Sequence, residues 1–335
     1  MVVNKNLSIV QNGFINLPID KDLNLVEEIN RLKIEKNAII LAHYYQDNEV
    51  QDIADYIGDS LGLAQKAAET NADIIVFAGV HFMAETAKML SPNKKVLLPD
   101  LNAGCSMADS CPAAEFEKFV KAHPNHKVVT YVNTTAKIKA LSDICCTSSN
   151  AVQIVNSFPM ETSLIFAPDR NLGDYIKRIT GRENMVVWDG ACHVHEEFSL
   201  ERLLDLKKEN PEAKIISHPE CQKPILLVSD FIGSTAQLLK FAQDDTAQKF
   251  IVATEWGILH QMQKACPHKV FIAAPPKDST CGCSECNFMK LITLKKIYLT
   301  MLHELPEVNI EQSLIAKAVK PIELMLEMSK KLAII

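Results

Sequence analysis

The sequence predicts an α/β protein made of three similar α/β domains, each a small parallel sheet flanked by helices. Three observations carry this. Short β-branched apolar runs recur along the chain, and each leads into a helix-like stretch, as expected of parallel strands buried on both faces and joined by crossover helices. Landmark residues in these runs return at nearly constant offsets. The length of 335 residues, at roughly 150 per domain, gives room for two or three domains.

In order, the first group contains AIILAHYYQ, DIIVFAGVHF and KVLLPDLNAGC, with a polar helix opening at GDSLGLAQKAAE where the other groups have a second strand. The second group is KVVTYVNTTA, DICCTSSNA, SLIFAPDRN and MVVWDGACHVHE; the third is KIISHPEC, DFIGSTAQ, KFIVATEWG and KVFIAAPPKDSTCGCSEC. His43, Tyr131 and His218 follow the first strands, 88 and 87 residues apart. Ser60, Ser148 and Ser234 mark the second elements at 88 and 86, and Ala78, Ala167 and Ala253 the third at 89 and 86. Cys105, Cys192 and Cys286 close the fourth at 87 and 94. The expected domains are therefore 1–105, 106–192 and 193–305, the last with a cysteine-rich loop at 281–286. Beyond them, Ile310, Leu314, Ala318, Ile322, Met325 and Leu326 keep a helical spacing interrupted by Pro321. Residues 306–335 are thus expected to form a helix pair packing back on the first unit.

Composition narrows the function. The chain is 47% hydrophobic and 23% charged, within the globular range. Thirty-five basic against 41 acidic residues, with no basic block, argue against a nucleic-acid or anionic-membrane partner. The longest apolar stretch, Ile74 to Ala84, contains His81 and falls short of the ~20 residues of a membrane span. The start, MVVNKNLSIV, has no signal-peptide core. A cytoplasmic protein is expected.

Ten cysteines in a reducing compartment point to metal binding or redox chemistry beyond what a core needs. Cys145, Cys146 and Cys266 sit among apolar or small residues and read as core thiols. One cysteine closes each unit, and such wide spacing excludes a local zinc finger. On spacing alone an iron–sulfur cluster, a zinc site and no metal at all stay open.

The segments ILAHYYQDNEVQDIADYIGDSLGLAQKA, LPDLNAGCSMADSC, YVNTTAKIKALSDICCTSSNA, WDGACHVHE, HPEC, IGSTAQ, ATEWGILHQM and CNFMKLITL resemble the quinolinate synthase family, in order, from Lys36 to Leu294. The resemblance implies a condensation of iminoaspartate with dihydroxyacetone phosphate to quinolinate, with loss of phosphate and two waters, in NAD biosynthesis. It implies three α/β domains in pseudo-threefold arrangement around a central [4Fe–4S] cluster held by Cys105, Cys192 and Cys286, with one iron left open as a Lewis acid. Tyr45 and Glu220 match the family's acid–base positions. His43, Ser60, Tyr131, Val132, Asn133, Ser148, His218, Pro219, Glu220 and Thr235 match its substrate contacts. Main-chain amides near Ser234 and Thr235 would add to these if a helix starts there. An L-aspartate oxidase or dehydrogenase is the implied supplier of iminoaspartate, and the chain is expected as a monomer or homodimer.

Taken singly, these residues have plainer readings. Ser60, Ser148 and Thr235 would be helix caps, His43 and His218 satisfied strand-end histidines, Tyr45 a packing aromatic and Glu220 a solvated charge. The matched motifs outweigh those readings. One departure stands: many family members carry C-x-x-C-x-x-C, whereas this chain has Cys281-Gly-Cys283-Ser-Glu-Cys286. Cys283 with Cys286 could instead be a redox pair. Cys111 lies outside the ligand motif, and His81, His193 and His195 lie close to the site in sequence with their roles open. The competing classes are a metal-dependent regulator that binds a small dicarboxylate and senses oxygen or iron, which would not need Tyr45 and Glu220 as acid and base, and a zinc-dependent hydrolase whose metal activates water.

Overall fold

The computed structural model describes residues 9–278 and 284–334; Cys281 and Cys283 lie outside the described residues. A short antiparallel hairpin, β1 (Val10–Gln11) with β2 (Phe14–Ile15), precedes three four-stranded sheets. The first sheet holds β3 (Ala38–His43), β4 (Tyr56–Gly58), β5 (Ile74–Ala78) and β6 (Lys95–Leu97). The second holds β7 (Lys127–Tyr131), β8 (Ile144–Cys146), β9 (Leu164–Ala167) and β10 (Met185–Val187). The third holds β11 (Lys214–Ser217), β12 (Phe231–Ile232), β13 (Lys249–Ala253) and β14 (Val270–Ala273). Every pair in these sheets is parallel, and each sheet has the same order: second, first, third, fourth. The three α/β repeats read from the sequence are present.

Register confirms the repeat more strictly than spacing does. Ala42, Thr130 and Ser217 pair with Ala78, Ala167 and Ala253, so the alanine landmarks end the same strand in each sheet. The first repeat also has a true second strand, β4, just before the polar helix Ser60–Glu69. Three residues escape a pattern scan because β4's partner, β3, supplies its hydrogen bonds. Ser60 and Thr235 are both first residues of their helices, behind the caps Asp59 and Ser234. The matching triad is therefore Ser60, Ser148 and Thr235, with Ser234 one place out of step.

Two further devices recur with the repeat. Asp55, Asp143 and Asp230, 88 and 87 residues apart, each stand just before the second strand. Each accepts the backbone N–H of a first-strand residue, Ile40, Val128 or Ile215, at 2.7–2.8 Å. Lys94, Arg182 and Lys269, again 88 and 87 apart, donate to carbonyls at the C-termini of the helices after the second strands. The acceptors are Thr70 and Ala72, Val155 and Phe158, and Ala242 and Asp245. A cation there meets the negative end of the helix and satisfies its last carbonyls.

The chain divides into two compact units, residues 1–105 with 287–319, and 106–286 with 320–335. The first contains the first sheet; the second contains the other two. The C-terminal segment is one helix, Gln312–Lys331, with Pro321 inside it, and not the expected pair. Proline removes one intrahelical hydrogen bond, yet Ala318, Ile322 and Met325 around it are fully buried, so packing holds the helix continuous. Its residues from 320 onward group with the second unit, where Asn150 Nδ2 donates to Ser329 Oγ at 2.8 Å. Among the described residues no helix is long and apolar enough to cross a membrane.

Candidate active site

In each sheet the second and third strands flank the first on opposite sides. The carboxyl ends of the first and third strands therefore form a topological switch point, where open α/β sheets bind ligands. His43 ends β3, Tyr131 ends β7 and His218 follows β11. Two residues further on come Tyr45, Asn133 and Glu220. The predicted site residues are thus the same two positions taken from each repeat.

In the first unit, His43 is buried and its Nδ1 accepts the Tyr45 N–H at 3.2 Å, which leaves the ring proton on Nε2. The Tyr45 ring meets it edge-on at 4.4 Å. Gln51 Nε2 braces this turn by donating to Tyr44 O and Gln46 O at 3.0 and 2.8 Å, and Lys290 Nζ donates to Tyr45 O at 2.8 Å. Asp59 Oδ1, which accepts from Gly62 N–H, caps the next helix, so capping is not the role of Ser60.

The second unit gathers a buried polar cluster. Tyr131 donates its hydroxyl to Glu220 Oε1 at 2.5 Å. His195 Nδ1 lies 2.9 Å from Glu220 Oε2, off hydrogen-bond alignment, while His195 Nε2 meets Thr254 Oγ1 at 3.0 Å. His218 stacks on His195 at 4.8 Å and reaches Ser148 Oγ through Nε2 at 3.1 Å. Its Nδ1 accepts the Glu220 N–H at 3.4 Å, repeating the His43–Tyr45 arrangement. Burial pushes Glu220 up, but the imidazoles of His218 and His195 and the Tyr131 hydroxyl pull it down further, to about 2. Burial holds His218 down at about 3, against the charge of Glu220. At neutral pH the cluster is an ionised carboxylate beside a neutral imidazole.

The surrounding turns are equally determined. Lys139, fully buried, donates to Val132 O and to Thr134 O, bracing the Asn133 turn as Gln51 braces that of Tyr45. Asn133 Oδ1 is buried without a hydrogen-bond partner, an acceptor available to a ligand N–H or O–H. Pro219 fixes the equivalent turn in the third repeat. Thr235 opens the ten-residue helix Thr235–Asp244. The Ser234 N–H donates to Gln237 Oε1 at 2.8 Å in a capping box, so that amide is committed within the protein and not to a substrate.

The cysteines sort by environment. Cys111, Cys145, Cys146, Cys221 and Cys266 are buried. Burial pushes the Cys111 thiol up to about 12, Cys145 up, and Cys146 and Cys221 well above the ordinary value, so these are core thiols. Cys105, Cys192 and Cys286 are partly exposed, each beyond a fourth strand. Cys192 Sγ, a His195 nitrogen and a Glu220 oxygen lie within 4.8 Å of one another, close enough to hold a metal ion. Cysteine sulfurs accessible at strand ends are the ligand type an iron–sulfur centre takes, so the donor set fits. His193, next to Cys192, shares a 2.9 Å contact through Nδ1 with Ser106 Oγ. His81 N–H donates to Ala103 O, with its ring 3.9 Å from Glu85.

Residues 27–327 match the family described as Quinolinate synthetase A protein. The chain belongs to the quinolinate synthase family. A quinolinate synthase of Synechococcus sp. is 58% identical over 314 residues, covering 94% of this chain and 97% of the relative. Those of Thermosynechococcus vestitus and Synechocystis sp. are each 59% identical, over 313 and 305 residues, covering 93% and 91% of this chain and 97% and 95% of the relatives. This quinolinate synthase fold brings Tyr131, Ser148, His218 and Glu220 together in the second unit, and His43 and Tyr45 in the first. His195, whose role is open from sequence, joins Glu220; its place three residues after Cys192 is the one sequence signal for it. Asp169 and Glu255 are both fully buried, and no sequence signal marks them.

Proposed function

We propose that the chain condenses iminoaspartate with dihydroxyacetone phosphate to quinolinate, releasing phosphate and two waters. The observation that carries this is the buried Tyr131–Glu220–His195–His218 cluster at the strand-end switch point of a quinolinate synthase chain. Three domains, 1–105, 106–192 and 193–305, each supply a strand-end residue and the residue two beyond it. Cys105, Cys192 and Cys286 would hold a [4Fe–4S] cluster, which when bound supplies a Lewis-acidic iron for loss of a hydroxyl as water.

The protein's own groups do the rest. Glu220, kept ionised, takes a proton, and the Tyr45 hydroxyl gives one. His43 donates through Nε2, and Ser60, Ser148 and Thr235 offer hydroxyls to the carboxylates, while Tyr131 and His218 border the substrate and hold Glu220 and Ser148 in place for it. Asn133 Oδ1 accepts from the imine N–H or a hydroxyl, and Val132 and Pro219 belong to the turns that carry Asn133 and Glu220. The supplier of iminoaspartate would be an L-aspartate oxidase or dehydrogenase, in the cytoplasm. Anaerobic incubation with both substrates, followed by chromatography, tests the reading: quinolinate should form only when both are present. Consumption of dihydroxyacetone phosphate without quinolinate would overturn it.

A further inference from the structure

Two buried carboxylates stand at matching places in the second and third repeats. Asp169 and Glu255 each lie two residues beyond the alanine that ends the third strand, Ala167 and Ala253. Each divides its oxygens in the same way. Asp169 Oδ1 accepts the Leu172 N–H at 2.7 Å, capping the helix Arg170–Thr180, while Oδ2 accepts the Cys192 N–H at 3.3 Å. Glu255 Oε2 accepts the Gly257 N–H at 2.7 Å, while Oε1 accepts the Cys286 N–H at 3.1 Å. In the first repeat the matching residue is Val80, and a backbone bond from His81 N–H to Ala103 O at 2.7 Å makes the link.

Burying a carboxylate is costly unless its oxygens are satisfied. Capping alone does not require one, because Ser199 and Thr293 cap their helices with hydroxyls. Asp169 also holds a backbone φ of +81°, outside the regions a side chain prefers. What both residues add is a second oxygen on the main chain of a cysteine. Groups that orient metal ligands from behind are worth about 10- to 100-fold in metal affinity or activity.

We propose that Asp169 and Glu255 are positioning residues for the iron–sulfur site. Each fixes the main chain of the cysteine its repeat contributes and so sets where that thiolate points. The proposal rests on Cys192 and Cys286 being cluster ligands.

Asp169→Asn and Glu255→Gln test it. Each keeps one acceptor oxygen and turns the other into a donor, and asparagine tolerates positive φ. The full-length proteins are reconstituted with iron and sulfide without oxygen. Iron–thiolate stretching bands by resonance Raman, and the rate of iron loss to a chelator, are then compared with the parent. Shifted bands and iron loss about 10- to 100-fold faster are expected, with Glu255→Gln carrying the test alone should Asp169→Asn fail to fold. Asp143→Asn, which alters a strand-bridging acceptor bonded to Val128 N–H, should leave bands and rate unchanged. Parent-like bands and rates in both variants would overturn the proposal, as would an equal effect in Asp143→Asn. Full iron in both Cys192→Ala and Cys286→Ala would instead remove the ligand assignment beneath it.

Discussion

The hydroxyl of Tyr131, at the end of β7, donates to Glu220 Oε1 in the turn beyond β11 at 2.5 Å, joining the second and third sheets at the carboxyl ends of their first strands. Both partners are buried, so the bond is a charge-assisted one in a poorly solvated place. It also favours the ionised form of Glu220.

Tyr131→Phe should therefore raise the Glu220 pKa and cost about 1.5–3 kcal/mol of stability, the scale of a hydrogen bond to a charged group. A base that must be ionised then loses function earlier as pH falls. The acid limb of the pH–rate profile should move to higher pH, and an unmoved limb would detach Tyr131 from Glu220 ionisation.

Tyr45→Phe and Glu220→Gln are nearly isosteric and should keep the fold. Each should slow turnover by about 10²–10⁴, the usual scale of a positioned acid or base. Steady-state kinetics with circular dichroism check this. Turnover within a factor of two of the parent would return either residue to a packing role.

His218 should give the protein an acid weakness. Its folded-state pKa, near 3, lies below the ordinary 6.5, so the unfolded chain binds more protons between those values. Stability from this group is complete above pH 6.5 and falls as pH drops through that window toward 3. His218→Gln removes the titration, so its thermal midpoint should depend less on pH between 6.5 and 4.5. An unchanged slope would show that His218 is not held neutral.

Lys139→Met should disturb substrate binding more than the fold. The change leaves the carbonyls of Val132 and Thr134 without their shared donor and frees the turn that carries Asn133. KM should rise about tenfold with kcat much less affected, since one lost buried bond contributes about 1 kcal/mol or more. The third repeat has Leu226 at this position and Pro219 in its turn, so it dispenses with such a brace. A fall in kcat at constant KM would contradict the positioning role.

Much of this was legible in the sequence, for physical reasons that also explain what was not. Strands such as β5 and β9 are buried on both faces and announce themselves as unbroken apolar runs. His43, Tyr131 and His218 stand out because polar residues at strand ends break those runs. β4 is too short to show a pattern, and Pro321 signals a break that the packing around it overrides. Nothing local in the sequence marks Asp169, Glu255, Arg182 and Lys269 as buried, because the backbone groups that satisfy them are distant along the chain. His195 could not be assigned until the fold set it against Glu220.

The central claim is that each repeat contributes one cysteine to an iron–sulfur centre. Iron per chain after anaerobic reconstitution of the single alanine variants tests it most directly. Cys281→Ala and Cys283→Ala should retain about four irons, whereas Cys105→Ala, Cys192→Ala and Cys286→Ala should lose them. Iron retained in Cys286→Ala and lost in Cys283→Ala would contradict the assignment.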